Sequence, residues 1–192
     1  MKDEAMAKKE AIIKAAFKLF NERGFHGTPT SMISQEAGIA TGTLFRYFPT
    51  KEDLINSAYS VAKGHLAEAI KIGFNREDTL EGQLRHIWGN LIRWGINNPE
   101  EFLFIEQFAS SPYITKLTEE EAMSNFEFLS DIYENGVQEG VIDDENGELL
   151  AEMIFDSNTA VVKKILRDGL QDDTDELIAR SFTLLWRGIG KS

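Results

Sequence analysis

Apolar residues recur along most of this chain at three- and four-residue steps, the spacing that lines up one side of a helix. Between Lys8 and Glu22 the stripe is Ile12, Ile13, Ala16, Phe17 and Phe20. Gly24 follows, where a helix commonly ends in the left-handed conformation. Thr30 is a candidate N-cap for a short helix reaching Ala37. Gly38 breaks that helix, and Thr41 to Phe48 reads as another. Pro49 ends it, because proline cannot continue a helix and biases the preceding residue out of the helical region. Thr50 then caps a long helix from Lys51 to about Phe74, with Glu52 and Asp53 well placed against its N-terminal dipole.

The same pattern continues to the end of the chain. Leu80, Leu84, Ile87, Trp88, Leu91 and Trp94 mark a helix ending near Asn97–Pro99, and Phe102, Ile105 and Phe108 mark a shorter one stopped at Ser110–Pro112. Thr118 followed by Glu119–Glu121 reads as a capping box opening a helix to about Gly140. A loop rich in Asp, Glu and Gly is expected over Val141–Gly147, then two last helices over Glu148–Arg167 and Asp173–Gly188. Alternating strand patterns bounded by turn pairs are nearly absent. The pattern predicts an all-α fold of about nine helices.

Composition sets bounds around that fold. At 192 residues and 42% hydrophobic, the chain can bury a real core in one or two domains. The formal net charge is −12, which argues against coating nucleic acid or acidic membrane through the whole surface. The charge is uneven: residues 1–73 carry a net of +2 and residues 74–192 a net of −14. A mildly basic head is thus joined to a strongly acidic body. With no cysteine, disulfides, thiolate metal sites and Cys nucleophiles are excluded. The longest run without a charged side chain, Gly24–Gln35, is polar and too short to span a bilayer, which takes about 20 apolar residues. The opening MKDEAMAKKE lacks the apolar stretch of a signal peptide, so a cytoplasmic protein with no membrane contact is expected.

The two short helices of Thr30–Phe48 carry the most specific signal. Joined by a three-residue turn that begins at Gly38, they describe a helix-turn-helix. Ile33, Ile39 and Leu44 are placed to form a small core between them, and Ala37 is small enough for close approach. The second helix is left to present Thr41, Gly42, Thr43, Phe45, Arg46 and Tyr47, a set suited to a major groove. The run AIIKAAFKLFNERGFHGTPTSMISQEAGIATGTLFRYFPTKEDLI, Ala11 to Ile55, resembles the DNA-binding domain of the tetracycline-repressor (TetR) family of transcriptional regulators. The matching parts are AAFKLFNERGF, TSMISQEAGI and GTLFRYFPTKEDL, while residues 74–192 match only in layout.

That resemblance implies roles residue by residue. Thr30 and Ser31 would contact phosphate, Thr43 and Tyr47 backbone or bases, Phe45 a sugar or thymine methyl, and Lys51 phosphate, with Ala40, Thr41, Gly42 and Arg46 completing the DNA-binding face. Two positions depart from the common pattern. Ala40 and Thr41 stand where Ser-Lys is usual, and Arg46 stands where His or Tyr is usual, so one cation is lost and another gained. The expected division is a DNA-binding domain at 1–50 and an effector-binding, dimerising domain at 51–192, linked by the helix at 51–74.

Catalytic readings fare poorly. His26, His65 and His86 lie far apart, no Glu-x-x-His pair exists, and no Gly-x-Ser-x-Gly elbow is present. No enzyme activity, metal or cofactor is expected. The body is instead rich in aromatic residues. Tyr59, His65, Trp88, Trp94, Phe104, Phe108, Phe126 and Asn158 are candidates to line a pocket for a small lipophilic or aromatic effector. The last two helices are apolar over more than one face, which predicts a homodimer through both, with Val162 among the interface positions. The expected function is a ligand-responsive repressor of a palindromic double-stranded DNA operator. The alternative is a helical small-molecule carrier or sensor whose helix-turn-helix no longer binds DNA.

Overall fold

The computed structural model describes residues 2–76, 78–142, 147–170 and 173–189, without the side chains of Lys2, Asp3 and Glu148. Residues 143–146 of the acidic loop expected at Val141–Gly147 lie outside the described residues. The described residues form ten helices: α1 Lys2–Arg23, α2 Thr30–Glu36, α3 Thr41–Tyr47, α4 Lys51–Lys71, α5 Leu80–Asn97, α6 Pro99–Phe108, α7 Lys116–Ser124, α8 Phe128–Gln138, α9 Gly147–Asp168 and α10 Thr174–Ile189. No strand occurs among them.

The helix boundaries follow from local chemistry. Thr50 and Asp53 form a reciprocal box at the start of α4, Asp53 N–H donating to Thr50 Oγ1 at 3.0 Å and Thr50 N–H to Asp53 Oδ2 at 3.0 Å. Thr79 Oγ1 accepts from Gly82 N–H at 3.2 Å and opens α5. The single helix expected over Thr118–Gly140 is two. Its cap is Thr115, whose Oγ1 accepts from Thr118 N–H at 3.1 Å, so α7 begins at Lys116. Over Ser124–Glu127 the backbone turns to three-residue bonds, Glu127 N–H to Ser124 O and Leu129 N–H to Phe126 O. The Asn125 carbonyl accepts from Lys71 Nζ at 2.9 Å. This side chain satisfies a helix-end acceptor at the break.

By packing, the chain divides into two compact units. The first comprises residues up to Gly64 together with Glu100–Met123, and so is larger than the 1–50 head expected from sequence. Its core holds Ile12, Ala16, Phe20, Ile33, Leu44, Leu54, Ile55 and Phe104, all fully buried. Phe104 and Phe108 join Phe17 and Phe20 there, with ring centroids 4.8–6.1 Å apart.

The second unit comprises His65–Pro99 and residues from Ser124 onward. In it α5 packs against α8, α9 and α10. Leu80, Ile87, Ile132 and Ile142 form a core cluster, with Leu84, Phe128, Leu150 and Trp186 against it. Arg93 pairs with Asp175 at 2.8 Å, Trp88 Nε1–H donates to Ser181 Oγ at 3.1 Å, and the Arg85 guanidinium lies 4.5 Å from the Phe182 ring centroid. Residue numbers fall along α5 as they rise along α10, so these helices are antiparallel.

The two-sided character of α9 and α10 is real, but its membership differs from expectation. Val162 is 0% exposed and lies in the unit's own core with Ile165, Ile178 and Phe182. It is therefore not an interface position. The outer faces instead carry Leu149, Met153 and Leu184, exposed by 52%, 53% and 73%.

Candidate nucleic-acid interface

The helix-turn-helix is held by a small set of interactions. Gly38 takes φ +67°, the left-handed conformation that bends the chain between α2 and α3 and that other residues resist. Ile33 and Leu44 fill the space between the two helices and are fully buried, while Ile39 is half-buried. A hydroxyl pair adds a second tie: Ser34 Oγ donates to Ser31 O at 2.9 Å, so in the 2.8 Å contact between Ser34 and Thr41 the proton comes from Thr41. Thr41 thereby stitches α2 to α3, a role that its place in the recognition pattern did not reveal.

With that frame set, α3 presents Gly42, Phe45 and Arg46 to solvent, and Thr43 and Tyr47 are half-buried. Ala40 is the exposed N-cap of α3, Thr30 is the half-buried first residue of α2 after the cap Pro29, and Ser31 is exposed. Phe45 is 43% exposed, an apolar ring left in water beside a cation. The basic residues gather here. Lys8, on α1, interacts electrostatically with Arg46 and Tyr47, and its pKa is raised chiefly by its hydrogen bond to Glu4. Lys9 Nζ lies 6.0 Å from the Phe48 ring centroid. Lys8 and Lys9 are both on α1.

Lys51 is placed differently from expectation. Its ammonium donates to Phe25 O and lies 4.2 Å from the Phe25 ring centroid, and partial burial lowers its pKa. It therefore braces the α1–α2 turn. In that turn Thr28 Oγ1 faces Gly24 O at 2.8 Å and Leu19 O at 3.0 Å. A Cβ at Gly27 would come within 2.3 Å of Arg23 O, so no larger residue fits without a shift.

The α6–α7 connection grips the same turn. Tyr113 stacks on Phe25 with centroids 4.0 Å apart, and its hydroxyl is 2.7 Å from His26 Nε2. Asn56 on α4 holds the connection by two bonds, Nδ2 to Tyr113 O at 2.9 Å and Oδ1 from Thr115 N–H at 2.8 Å. Sequence patterns gave no sign of Tyr113, Asn56 or Thr115, because their link spans residues far apart in the chain.

The candidate effector residues fall in both units. Tyr59, Phe104 and Phe108 belong to the first, and His65, Trp88, Trp94, Phe126 and Asn158 to the second. Phe104 and Phe108 are packed among Phe17 and Phe20 as core, which corrects their assignment to a pocket wall. His65, on α4 at the edge of its buried face, is exposed. Tyr59 is buried, and burial pushes its pKa up to about 12, with Glu119 adding to the effect. Lys63, one turn along α4, is also buried, and burial lowers its pKa to about 8. In the second unit Trp88, Trp94, Phe126 and Asn158 are all buried. Asn158 Oδ1 and the neighbouring Thr159 Oγ1 are enclosed with no hydrogen-bond partner among the described residues.

This geometry is that of a helix-turn-helix regulator with a separate helical body. Residues 12–58 match the bacterial regulatory proteins of the tetR family, and residues 60–190 match the tetracyclin repressor-like C-terminal domain. The chain belongs to the TetR family. It is 33% identical over 73 residues to the fatty acid metabolism regulator protein of Bacillus subtilis, a stretch covering 38% of this chain, and the chain spans 38% of that relative's length. A TetR family transcription regulator from Marinobacter aquaeolei VT8 superposes with a TM-score of 0.91 at 26% identity, covering 100% of both chains. The fold is also shared with the transcriptional regulator FadR of Bacillus subtilis in complex with stearoyl-CoA, at a TM-score of 0.74 and 23% identity, covering 94% of this chain and 98% of that one.

Proposed function

We propose that this protein is a ligand-responsive transcriptional regulator, not an enzyme. It binds a palindromic operator as a homodimer and acts as a repressor released by a small lipophilic effector. The observation that carries the DNA-binding part is the exposed set Gly42, Phe45 and Arg46 on a helix whose opposite side is locked by Leu44, with Lys8 beside Arg46. Cations next to a groove-sized helix supply phosphate attraction, while Arg46 can donate two bonds to a guanine edge. Thr30, Ser31, Thr43 and Tyr47 flank this set and serve as backbone contacts. The outer faces of α9 and α10, with Leu149, Met153 and Leu184, are the dimer surface. The relationship to a fatty acid metabolism regulator supports a lipophilic effector held in the second unit.

Release works by linkage: an effector that binds more tightly to a dimer whose heads do not match the operator spacing lowers DNA affinity by that same factor. The test is selection of duplexes from a random pool on the full chain, followed by fluorescence anisotropy on the enriched site. Enrichment of a palindrome with half-sites about one helical turn apart is the expected result. Failure to enrich any duplex would overturn the assignment in favour of a carrier without DNA binding.

A further inference from the structure

We infer that Asn158 and Thr159 form the polar end of the effector site, and that this end takes a hydrogen-bond donor group, such as a hydroxyl, amide or ammonium, on an otherwise apolar molecule. The inference rests on the reading that the second unit holds a small effector, and it specifies the chemistry of that effector's head.

The placement follows from the packing. α9 connects through a short segment to α10 and packs on it, and α10 is antiparallel to α5. α9 therefore runs parallel to α5. Leu150 packs against the cluster containing Leu80 and Ile87. Asn158 and Thr159, eight and nine residues further along, thus lie about level with Trp88 of α5. The buried side of α9 is otherwise apolar there, with Val162 and Ile165 continuing it.

The donor preference follows from the atoms. Asn158 Nδ2 donates to Ile154 O at 3.2 Å. A carbonyl can only accept, so the amide nitrogen must face it and Oδ1 must be the atom presented elsewhere. That oxygen accepts only. It is enclosed on a residue 1% exposed, and Oγ1 of the next residue, Thr159, is enclosed on a residue 8% exposed, both without partners among the described residues. Folded proteins rarely leave such atoms unmatched, because each keeps the penalty of leaving water with no bond in return. Two such atoms on consecutive residues of an apolar helix face carry an uncompensated desolvation cost, and a ligand donor relieves that of Asn158 Oδ1. An anionic carboxylate head would set acceptor against acceptor at Asn158 Oδ1, where only the Thr159 hydroxyl beside it in sequence could donate to it.

A series of equal chain length tests the head alone: decan-1-ol, decanamide, decylammonium and decanoate. Binding is followed by tryptophan fluorescence, which Trp88 and Trp94 report, and by the thermal midpoint, with no DNA present. The three donor heads should bind at least tenfold more tightly than decanoate. Asn158→Leu should raise the midpoint of the ligand-free protein and shrink that preference to less than threefold, whereas Thr159→Val, which removes a hydroxyl able to donate to a carboxylate, should raise the midpoint and keep the preference. Should Asn158→Leu fail to fold, Asn158→Ala carries the test. Decanoate binding as tightly as decanamide, discrimination unchanged by the Asn158 substitution, or no binding by any member would overturn the inference. Donor heads that bind with the expected preference yet leave a selected duplex bound would instead overturn the release mechanism while leaving this site in place.

Discussion

At the scale of single residues, the head separates groups proposed to face DNA from groups that hold the frame. Arg46 is exposed and makes no packing contribution that its loss would betray, so Arg46→Ala should fold normally and weaken operator binding by about 1–3 kcal/mol. Anisotropy titration of the selected site checks this, and unchanged affinity would remove Arg46 from the interface. Lys63 makes a different prediction. An exposed lysine titrates near 10.5, and burial brings this one to about 8 in the folded chain. Below pH 8 it is charged in both states, and the folded state carries the full desolvation penalty. Between pH 8 and 10.5 the unfolded chain keeps the proton that the folded chain has lost, so stability rises with pH. Lys63→Met removes that penalty along with the contacts Lys63 makes, so it should be more stable than the wild type at pH 7 by at most about 3 kcal/mol. That advantage should shrink steadily from pH 8 to 10 in thermal melts. Tyr59 is present in both proteins and cancels from the comparison.

At the scale of elements, the α6–α7 connection is the distinctive feature. One side chain, Tyr113, grips the α1–α2 turn by a stacked ring and a hydroxyl, and Asn56 pins the connection's backbone to α4. Tyr113→Ala removes both contacts and should destabilise the first unit by about 1–3 kcal/mol, the sum of an aromatic pair and a hydrogen bond. Tyr113→Phe keeps the stack and should lose only the smaller hydrogen-bond part. Denaturant unfolding gives the stabilities, and hydrogen exchange over residues 24–28 should rise in the alanine variant and hardly change in the phenylalanine one. Equal effects of the two substitutions would mean that the ring stack contributes nothing.

At the scale of the whole molecule, the proposal requires a second copy. Leu149, Met153 and Leu184 leave apolar surface on α9 and α10 that a single chain exposes to water. Sedimentation at micromolar concentration should show a species of twice the 21.7 kDa chain mass. Leu184→Arg, at a position 73% exposed, should yield a folded monomer with weakened operator binding. A charge at Val162 would instead unfold the chain, since that residue is wholly enclosed in its own unit. A folded wild-type monomer, or a Leu184→Arg protein that remains dimeric, would refute this interface.

The sequence by itself determined the helices and most of their ends, because stripe periodicity and capping are local: Thr50 with Asp53, Gly38 at positive φ, and Pro49 after α3 all act within a few residues. It likewise determined the helix-turn-helix and the exposure of Phe45 and Arg46, since a two-helix motif of fixed turn length leaves few other arrangements. What the tertiary structure decided concerns partners distant in the chain. The break after Ser124 is accompanied by Lys71, more than fifty residues away, satisfying the Asn125 carbonyl. Lys51 turns onto Phe25, Phe104 and Phe108 become the core of the first unit, and Val162 faces inward while Leu184 faces out. An apolar residue on a two-sided helix satisfies the same pattern whichever side it takes. Which side is dry within one chain depends on the helices that arrive to cover it, and no local spacing encodes that.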